Sequence, residues 1–518
     1  MKLKTGLIFV LSLLILCVTL TACKKDETPP ETDDGNDEFT GSIAPEDETG
    51  GKEEGGKEEE IDEGDPNATY EIFTAEDLKT KLKLKGTYVL KADIDLTGAE
   101  WKPLGTAKHP FSGTFNGGGF KISNFKVTEK PTQSEGDISL AFKYAYGGFF
   151  GVTENATVKD TVFDSINIDI FLNTDNTYIY AGAVAGYAKS TAFSGITVSN
   201  ATVTAQSSEY ITFTGGLIGG MQGSSAYSCT VNTAVTARES LNDAYAGGIT
   251  AWSSESELSR CDSLGSVTSV AKYGKSYSGG LIGYCSSSTI SKCVSASAVN
   301  ATVSSSSAQT GQKGSASAGG FAAMVTASSY NKRSVISESY TTDTCTVTAV
   351  GNRNASYAGG FAASSEYGIY THCYSRSNVS SESINDAVYA AGLIANLMNQ
   401  KDAENPTPYP YDTRITGCFF MGNVTVKTGT QAYFIGTLAY SLTEIDTFIF
   451  SSGYYEKMKI YINNEAADNT NERIQKNGNE VSSTVYGNMT LLKDNYGWKT
   501  ESWEIKSGES YPTLKAAN

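Results

Sequence analysis

The chain has 518 residues and a formal charge of −17 at pH 7, with 30 Tyr, 21 Phe and 52 Gly. So many aromatic side chains exclude a wholly disordered chain, and the glycine content falls far short of the one-in-three of a collagen. The acidic balance argues against nucleic acid as a partner, because phosphate recognition needs clustered Lys and Arg.

The charge is unevenly spread. Lys2 and Lys4 precede an apolar run from Gly6 to Leu20, the pattern of a targeting segment that does not belong to the fold. The run is shorter than the ~20 residues a membrane-spanning helix needs, which favours cleavage over an uncleaved anchor. It ends Leu20-Thr21-Ala22-Cys23, which resembles a bacterial lipobox. That resemblance implies a signal peptide over residues 1–22, a diacylglycerol thioether on Cys23, and anchorage of the chain to a bacterial membrane at the cell surface. Lys24-Lys25-Asp26-Glu27 resembles the acidic signal that sends some Bacteroidetes lipoproteins to the outer surface. Residues 24–66 hold 18 Asp and Glu against four Lys and almost no large apolar side chain. Nothing there offsets the entropy of ordering, so residues 23–66 read as a lipidated, solvated tether. Residues 67–518 are close to neutral.

Thr74-Ala75-Glu76-Asp77-Leu78 carries a helix-start signal, and a short helix is expected over 75–84. It would cover the first coil of a region, 67–140, that leads into a repeat. From 141 to 440 the chain restates one pattern, as in Phe213-Thr214-Gly215-Gly216-Leu217-Ile218-Gly219 and Tyr277-Ser278-Gly279-Gly280-Leu281-Ile282-Gly283. The second small residue falls at 148, 183, 216, 248, 280, 320, 360, 392 and 436, a basic unit near 32 residues with insertions. A period of that size marks a solenoid. Thirteen residues after Gly216, Gly248, Gly280 and Gly360 stand Cys229, Cys261, Cys293 and Cys373, with Gly195, Ser339 and Cys418 assigned to the same place. Six residues further on come Val235, Val267, Val299, Val379 and Val424. No helical period is present, so each unit reads as three short strands. Stacked, they make an all-β, right-handed parallel β-helix. Residues 441–518 lose the repeat and gain bulk, including Phe448, Trp498 and Trp503, and are expected to form strands that close the far end.

The aromatic-small-Gly-Gly-Leu-Ile-Gly repeats followed by a Cys-containing strand resemble the GLUG motif. That motif occurs in bacterial surface proteins and in the N-terminal region of IgA-cleaving metallopeptidases. Trp101-Lys102-Pro103-Leu104-Gly105 and Ser510-Tyr511-Pro512-Thr513-Leu514 resemble the entry and closing segments of such proteins. The resemblance implies a scaffold, not one activity.

Chemistry is thinly provided. The Gly-rich stretches recur in most units and no Lys follows them, so they read as stacking elements and not as a phosphate loop. Seven Cys remain beyond Cys17 and Cys23, with no CxxC pair, which suits buried thiols better than a disulfide framework or a zinc site. The only two histidines, His109 and His372, belong to no HExxH helix, so the metallopeptidase centre is missing. Asp160 and Asp164, Glu255 and Glu257, and Asp262 are the acids left for a glycosidase or lyase, and they do not recur in phase. Tyr180, Phe213, Tyr245, Tyr277, Tyr357, Tyr389 and Tyr433 share one repeat position, expected to face inward or stand half-buried; facing outward they would offer a platform for sugar or protein. Tyr409 and Tyr411, in the Pro-rich insertion 405–411, are the candidate binding residues. The expectation is a non-enzymatic adhesin or binding scaffold for glycan or host or matrix protein, without metal or cofactor. A carbohydrate-active β-helix enzyme and a purely structural stalk are the alternatives.

Overall fold

A computed structural model describes residues 62–516, except 129–132, 136–142, 173–176, 208–209, 306–313, 330, 399–412, 431, 442–448, 468–470 and 472. The chain divides into Met1–Ile43 and Ala44–Asn518, and the described residues all belong to the second unit. The targeting segment, Cys23, most of the tether, and Tyr409 and Tyr411 lie outside them.

The coils are parallel β-helix coils, but each holds four strands and not three. One coil runs Thr212–Gly215, Ile218–Gln222, Ser225–Tyr227 and Thr230–Ser240. Each of the four pairs in parallel with its counterpart in the next coil, giving sheets I to IV in the order the chain visits them. The extra strand arises at the Gly pair. A Cβ on Gly279 would strike the Ile282 carbonyl, and one on Gly280 the Gly320 carbonyl and the Ser295 hydroxyl. The pair makes a turn too tight for a Cβ, so it splits the motif between sheets I and II.

The interior is narrow and continuous. Ala244 and Ala246 of sheet I meet Val235, Ala237, Val267 and Ala271 of sheet IV. Leu217, Ile218, Leu281 and Ile282 after the Gly pair join Leu258 and Ile290 of sheet III. The valines stack in register, with Val203 and Val347 filling places the spacing left open. Each fully buried Val or Leu contributes roughly 1.5–3 kcal/mol.

Sheet III turns into sheet IV through left-handed residues that stack from coil to coil: Asp160, Gly195, Ser228, Arg260, Lys292, Glu338, His372, Gly417 and Ser451. From Ser228 onward the next residue in each coil is the Cys or Ser of the ladder, and Thr161 and Ile196 hold that place in the two coils before. Gly195 therefore belongs to the turn column, and Ile196 takes the ladder place the sequence assigned to Gly195. The ladder is a hydrogen-bonding device. Cys293 Sγ accepts from Cys261 N at 3.3 Å and donates to Ser291 O at 3.3 Å. Cys293 N in turn donates to Ser339 Oγ at 3.1 Å. The left-handed turn leaves the N–H of the next residue without a ladder partner, and the small side chain one coil on accepts it while sharing, as donor, a carbonyl already reached by Arg260 N at 3.0 Å.

At the start, Thr74 caps a helix over Ala75–Lys81, its Oγ1 accepting from Asp77 N at 3.0 Å while Asp77 Oδ2 accepts from Phe73 N. The helix is shorter than the expected 75–84 because the chain is already extended at Leu82. At the other end, parallel pairing continues through Ile449–Phe450, Gly453–Tyr455, Ile474–Gln475 and Asn479–Val481. Asn477 Oδ1 then accepts from Leu438 N and Ala439 N, taking the place of a further strand on sheet II. Of the aromatic side chains read as material for closing this end, Phe448 lies outside the described residues, and Trp498 and Trp503 lie instead along the flank. Trp498 and Trp503 pack over Tyr340, Tyr374 and Phe419 on the outer face of sheet IV. Trp498 Nε1 donates to Gly417 O at 2.8 Å, and Tyr374 Oη to Pro512 O at 2.5 Å. Buried Glu338 receives Ser502 at 2.8 Å and Lys499 at 3.3 Å.

Candidate functional site

Strand alternation decides where the aromatic column points. In the sheet I strand Thr177–Gly182, Ile179 and Ala181 enter the central core, so Tyr180 between them faces the outside. It is nevertheless fully buried. The outer faces of sheets I and II fold toward each other at the Gly pair, so closely that a Cβ on Gly219 would lie 2.6 Å from Ala181 N. The aromatic residues fill that concave corner as a second, external core.

Register places Tyr146, Tyr180, Phe213, Tyr245, Tyr277, Ser317, Tyr357, Tyr389 and Phe434 in one column. Tyr433 is not a member. Gly436 pairs with Ala391, one place earlier in the motif than the spacing suggested, so Phe434 stands beside Tyr389 and Tyr433 beside Val388. Tyr433 lies beneath the Arg473 guanidinium, 5.0 Å from its ring centre. Rings stack face to face from Tyr180 to Tyr277 at 4.7–4.9 Å, and from Tyr357 through Tyr389 to Phe434 at 4.6–4.8 Å. Ser317 interrupts the two runs.

A second column on sheet II closes the corner: Val152, Tyr187, Gly220, Trp252, Tyr284, Met324, Ser364 and Asn396. Its aromatics meet those of sheet I edge to face, as in Tyr180 with Tyr187 at 5.3 Å and Tyr277 with Tyr284 at 6.4 Å. This column escaped the sequence reading although its signal was present. It lies seven residues after the first, in the pairs Tyr180/Tyr187, Tyr245/Trp252 and Tyr277/Tyr284.

The corner has a closed and an open stretch. In the first coils two of the hydroxyls are paired: Tyr187 Oη donates to Gln222 Oε1 at 3.0 Å, and Tyr245 Oη to Asp243 Oδ2 at 3.2 Å. Burial pushes the Tyr180 and Tyr245 phenols far above their ordinary range, which leaves them inert as acids or bases near neutrality. Three coils after Tyr245, sheet II offers only Ser364 and Asn396 opposite Tyr357 and Tyr389. Tyr357, Tyr389 and Asn396 are half-buried there, as Tyr277 and Tyr284 are, in contrast to the sealed coils of Tyr146 to Tyr245 and of Ser317 and Met324. Stacked aromatic edges beside small polar groups can bind a ligand; they hold no reacting group.

The acids are dispersed. Asp160 sits at the turn between sheets III and IV, Asp164 on sheet IV, Glu255 at the turn between sheets II and III, Glu257 on sheet III and Asp262 on sheet IV. Hydrogen bonds from Ser199 and Asn200 hold the Asp164 carboxyl below its usual range. Glu255 pairs with Lys332 at 2.8 Å. Burial pushes Asp262 up to about 6. His372 is a left-handed turn residue under Trp498, where burial lowers its imidazole, while His109 lies 3.6 Å from Glu63. All seven described cysteines are buried and free, and burial pushes Cys285 and Cys345 up to about 12. Among the described residues no three His, Cys, Asp or Glu side chains are grouped to hold a metal ion.

No family model matches this chain, and no curated protein does. Among solved structures it is similar to a chain titled a putative immunoglobulin A1 protease from Bacteroides ovatus. That likeness has 14% identity and a TM-score of 0.33, covering 86% of this chain and 92% of that one. It is also similar to a chain titled IgA1 Protease, at 12% identity and a TM-score of 0.35, covering 82% of this chain and 24% of that one. Likenesses this remote say nothing of activity.

Proposed function

We propose that this chain is a lipid-anchored bacterial surface protein whose β-helix of GLUG-like repeats acts as a non-enzymatic binding scaffold. The binding face is the aromatic corner between sheets I and II, and its partner is a glycan or a host or matrix protein. One observation carries the reading: a rigid, outward-facing aromatic column that is sealed over its first coils and opens at Tyr357 and Tyr389. Rigid aromatics beside uncharged polar groups are the chemistry of recognition surfaces. The dispersal of the candidate acids supports binding over turnover, because glycoside hydrolysis needs two carboxylates flanking one bond.

The test is a glycan and matrix-protein array probed with the chain from Lys24 onward, alongside a reducing-end assay on each glycan retained. Retention of a glycan or matrix protein without new reducing ends is expected. Release of new ends would make the protein an enzyme, and an empty array would favour the stalk.

A further inference from the structure

The open stretch of the corner has the dimensions and chemistry of a specific subsite. Sheet II carries bulky Tyr284 and Met324 in the two preceding coils, then Ser364 and Asn396, and Tyr440 closes the next coil with its ring 5.8 Å from Tyr389. Among the described residues, two successive coils therefore present no large sheet II side chain of their own, and Tyr440 walls only the Tyr389 end. At ~4.8 Å per coil this makes a trough on the order of 10 Å long, enough for one or two sugar rings.

The trough is lined by polar groups that the protein itself leaves unused. Tyr357 Oη, Tyr389 Oη, Ser364 Oγ and the Asn396 amide make no hydrogen bond to any described residue, although Ser364 is only 5% exposed. Together they supply hydroxyls that both donate and accept, plus an amide with both functions. Leaving such groups without partners at a half-buried site is costly, and a ligand rich in hydroxyls removes that cost. The faces of Tyr357 and Tyr389 are stacked on each other at 4.6 Å, so the trough receives ring edges and hydroxyls. A flat aromatic ligand would need a free face. Among the described residues the charged group acting on both phenols is Asp386, in the exposed turn three residues before Tyr389. An acidic sugar would be repelled.

We infer that the trough bounded by Tyr357, Ser364, Tyr389 and Asn396 is a subsite for one or two pyranose rings of a neutral glycan. The inference rests on the aromatic corner being the binding face, and it adds the ligand class and the residues that read it.

The test is calorimetric titration of the full chain from Lys24 with glucose, mannose and galactose hexasaccharides and with hexagalacturonate. The variants are Ser364→Tyr, Asn396→Ala and, on the outer face of sheet IV, Thr268→Ala as control. Tyrosine already occupies the Ser364 register place at Tyr187 and Tyr284, so Ser364→Tyr fills the trough in a way the fold accommodates. At least one neutral hexasaccharide binds, hexagalacturonate binds at least tenfold more weakly, and Ser364→Tyr and Asn396→Ala each lose tenfold or more while Thr268→Ala is unchanged. Equal or tighter binding of hexagalacturonate overturns the neutral class. Undiminished binding by both trough variants overturns the subsite. A matrix protein that binds where no hexasaccharide does overturns the subsite and leaves the scaffold standing. Silence from both probe sets removes both.

Discussion

The Cys ladder makes a sharp prediction, because its thiols act as hydrogen-bonding groups and not as apolar filler. Replace Cys293 with Ser and with Val. The serine hydroxyl reproduces what Ser339 does in the next coil, donating to Ser337 O at 2.8 Å and accepting from Cys293 N at 3.1 Å. Valine keeps the bulk but accepts nothing, so Cys261 N, which donates to Cys293 Sγ at 3.3 Å, is buried without a partner. An unsatisfied buried donor costs about 1–3 kcal/mol, and a thiol is a weak acceptor, so the Val variant should lose about 1–2 kcal/mol and the Ser variant well under 1. Melting is a blunt assay here. Unfolding entropy near 2.1 cal/mol/K per residue over roughly 450 residues converts 2 kcal/mol into only about 2 °C. Native-state hydrogen exchange is sharper: the Cys261 amide should exchange roughly tenfold faster or more in the Val variant and near the native rate in the Ser variant. Equal protection of that amide in Val and Ser variants, or greater loss with Ser, would refute the hydrogen-bonding account and restore the thiols to simple core filling.

Two further substitutions probe the coil and its flank. Gly280→Ala places a methyl against the Gly320 carbonyl and the Ser295 hydroxyl, whereas Gly487→Ala meets nothing nearer than 3.3 Å at an ordinary φ of −81°. Chemical denaturation should show a loss of about 3 kcal/mol for the first and under 1 for the second; equal losses would mean that the Gly pair is not a tight turn. Asp262 titrates near 6 in the fold because burial disfavours its charge, against an ordinary value of 3.8. A carboxyl raised on folding stabilises most below its unfolded value and loses that contribution as pH rises through 6. Asp262→Asn should therefore gain about 1–2 kcal/mol at pH 7.5 and almost nothing at pH 3.5, read from urea midpoints; a gain independent of pH would show that burial of the charge is not the cause.

The phase of the coils was written in the sequence because most coils put Gly at both places of the turn, with Ala183, Ala391 and Thr437 standing in, and a backbone demand of that kind leaves a periodic mark. The direction of the aromatic column was not. In Thr177–Gly182 the residues flanking Tyr180 are Ile179 and Ala181, and in later coils Ser and Ala, so alternation of apolar and polar residues gave no sign of which face is the interior. A residue that is buried on the outside of a sheet has the same composition as one buried inside. The slip at Tyr433 and Phe434 has the same root: two adjacent aromatics, and one Gly where most coils have two, leave register undetermined by one place. Gly195 was misassigned because a glycine suits a left-handed turn as well as a narrow ladder, and only the pairing of Ser194 with Tyr227 separates the two. Ser364 and Asn396 drew no attention because a site made by the loss of large side chains has no motif.

Whether that loss opens a site or is simply absorbed can be judged within the column itself. Ser317 also replaces an aromatic ring, between Tyr277 and Tyr357, and there the gap has closed: Ser317 is 2% exposed and Met324 opposite it 8%. A long, flexible thioether has taken up the space, as methionine does in irregular cores. Where Ser364 and Asn396 stand, only Tyr440 among the described residues leans in, its ring 5.8 Å from Tyr389. Tyr357 and Tyr389 stay half-buried, and four polar groups stay without partners among the described residues. A defect of packing tends to be filled by its neighbours, because each lost contact costs energy. A trough held open over two coils, walled by rings that stack firmly on each other, is preorganised, and what it lacks is what a hydroxylated ligand brings.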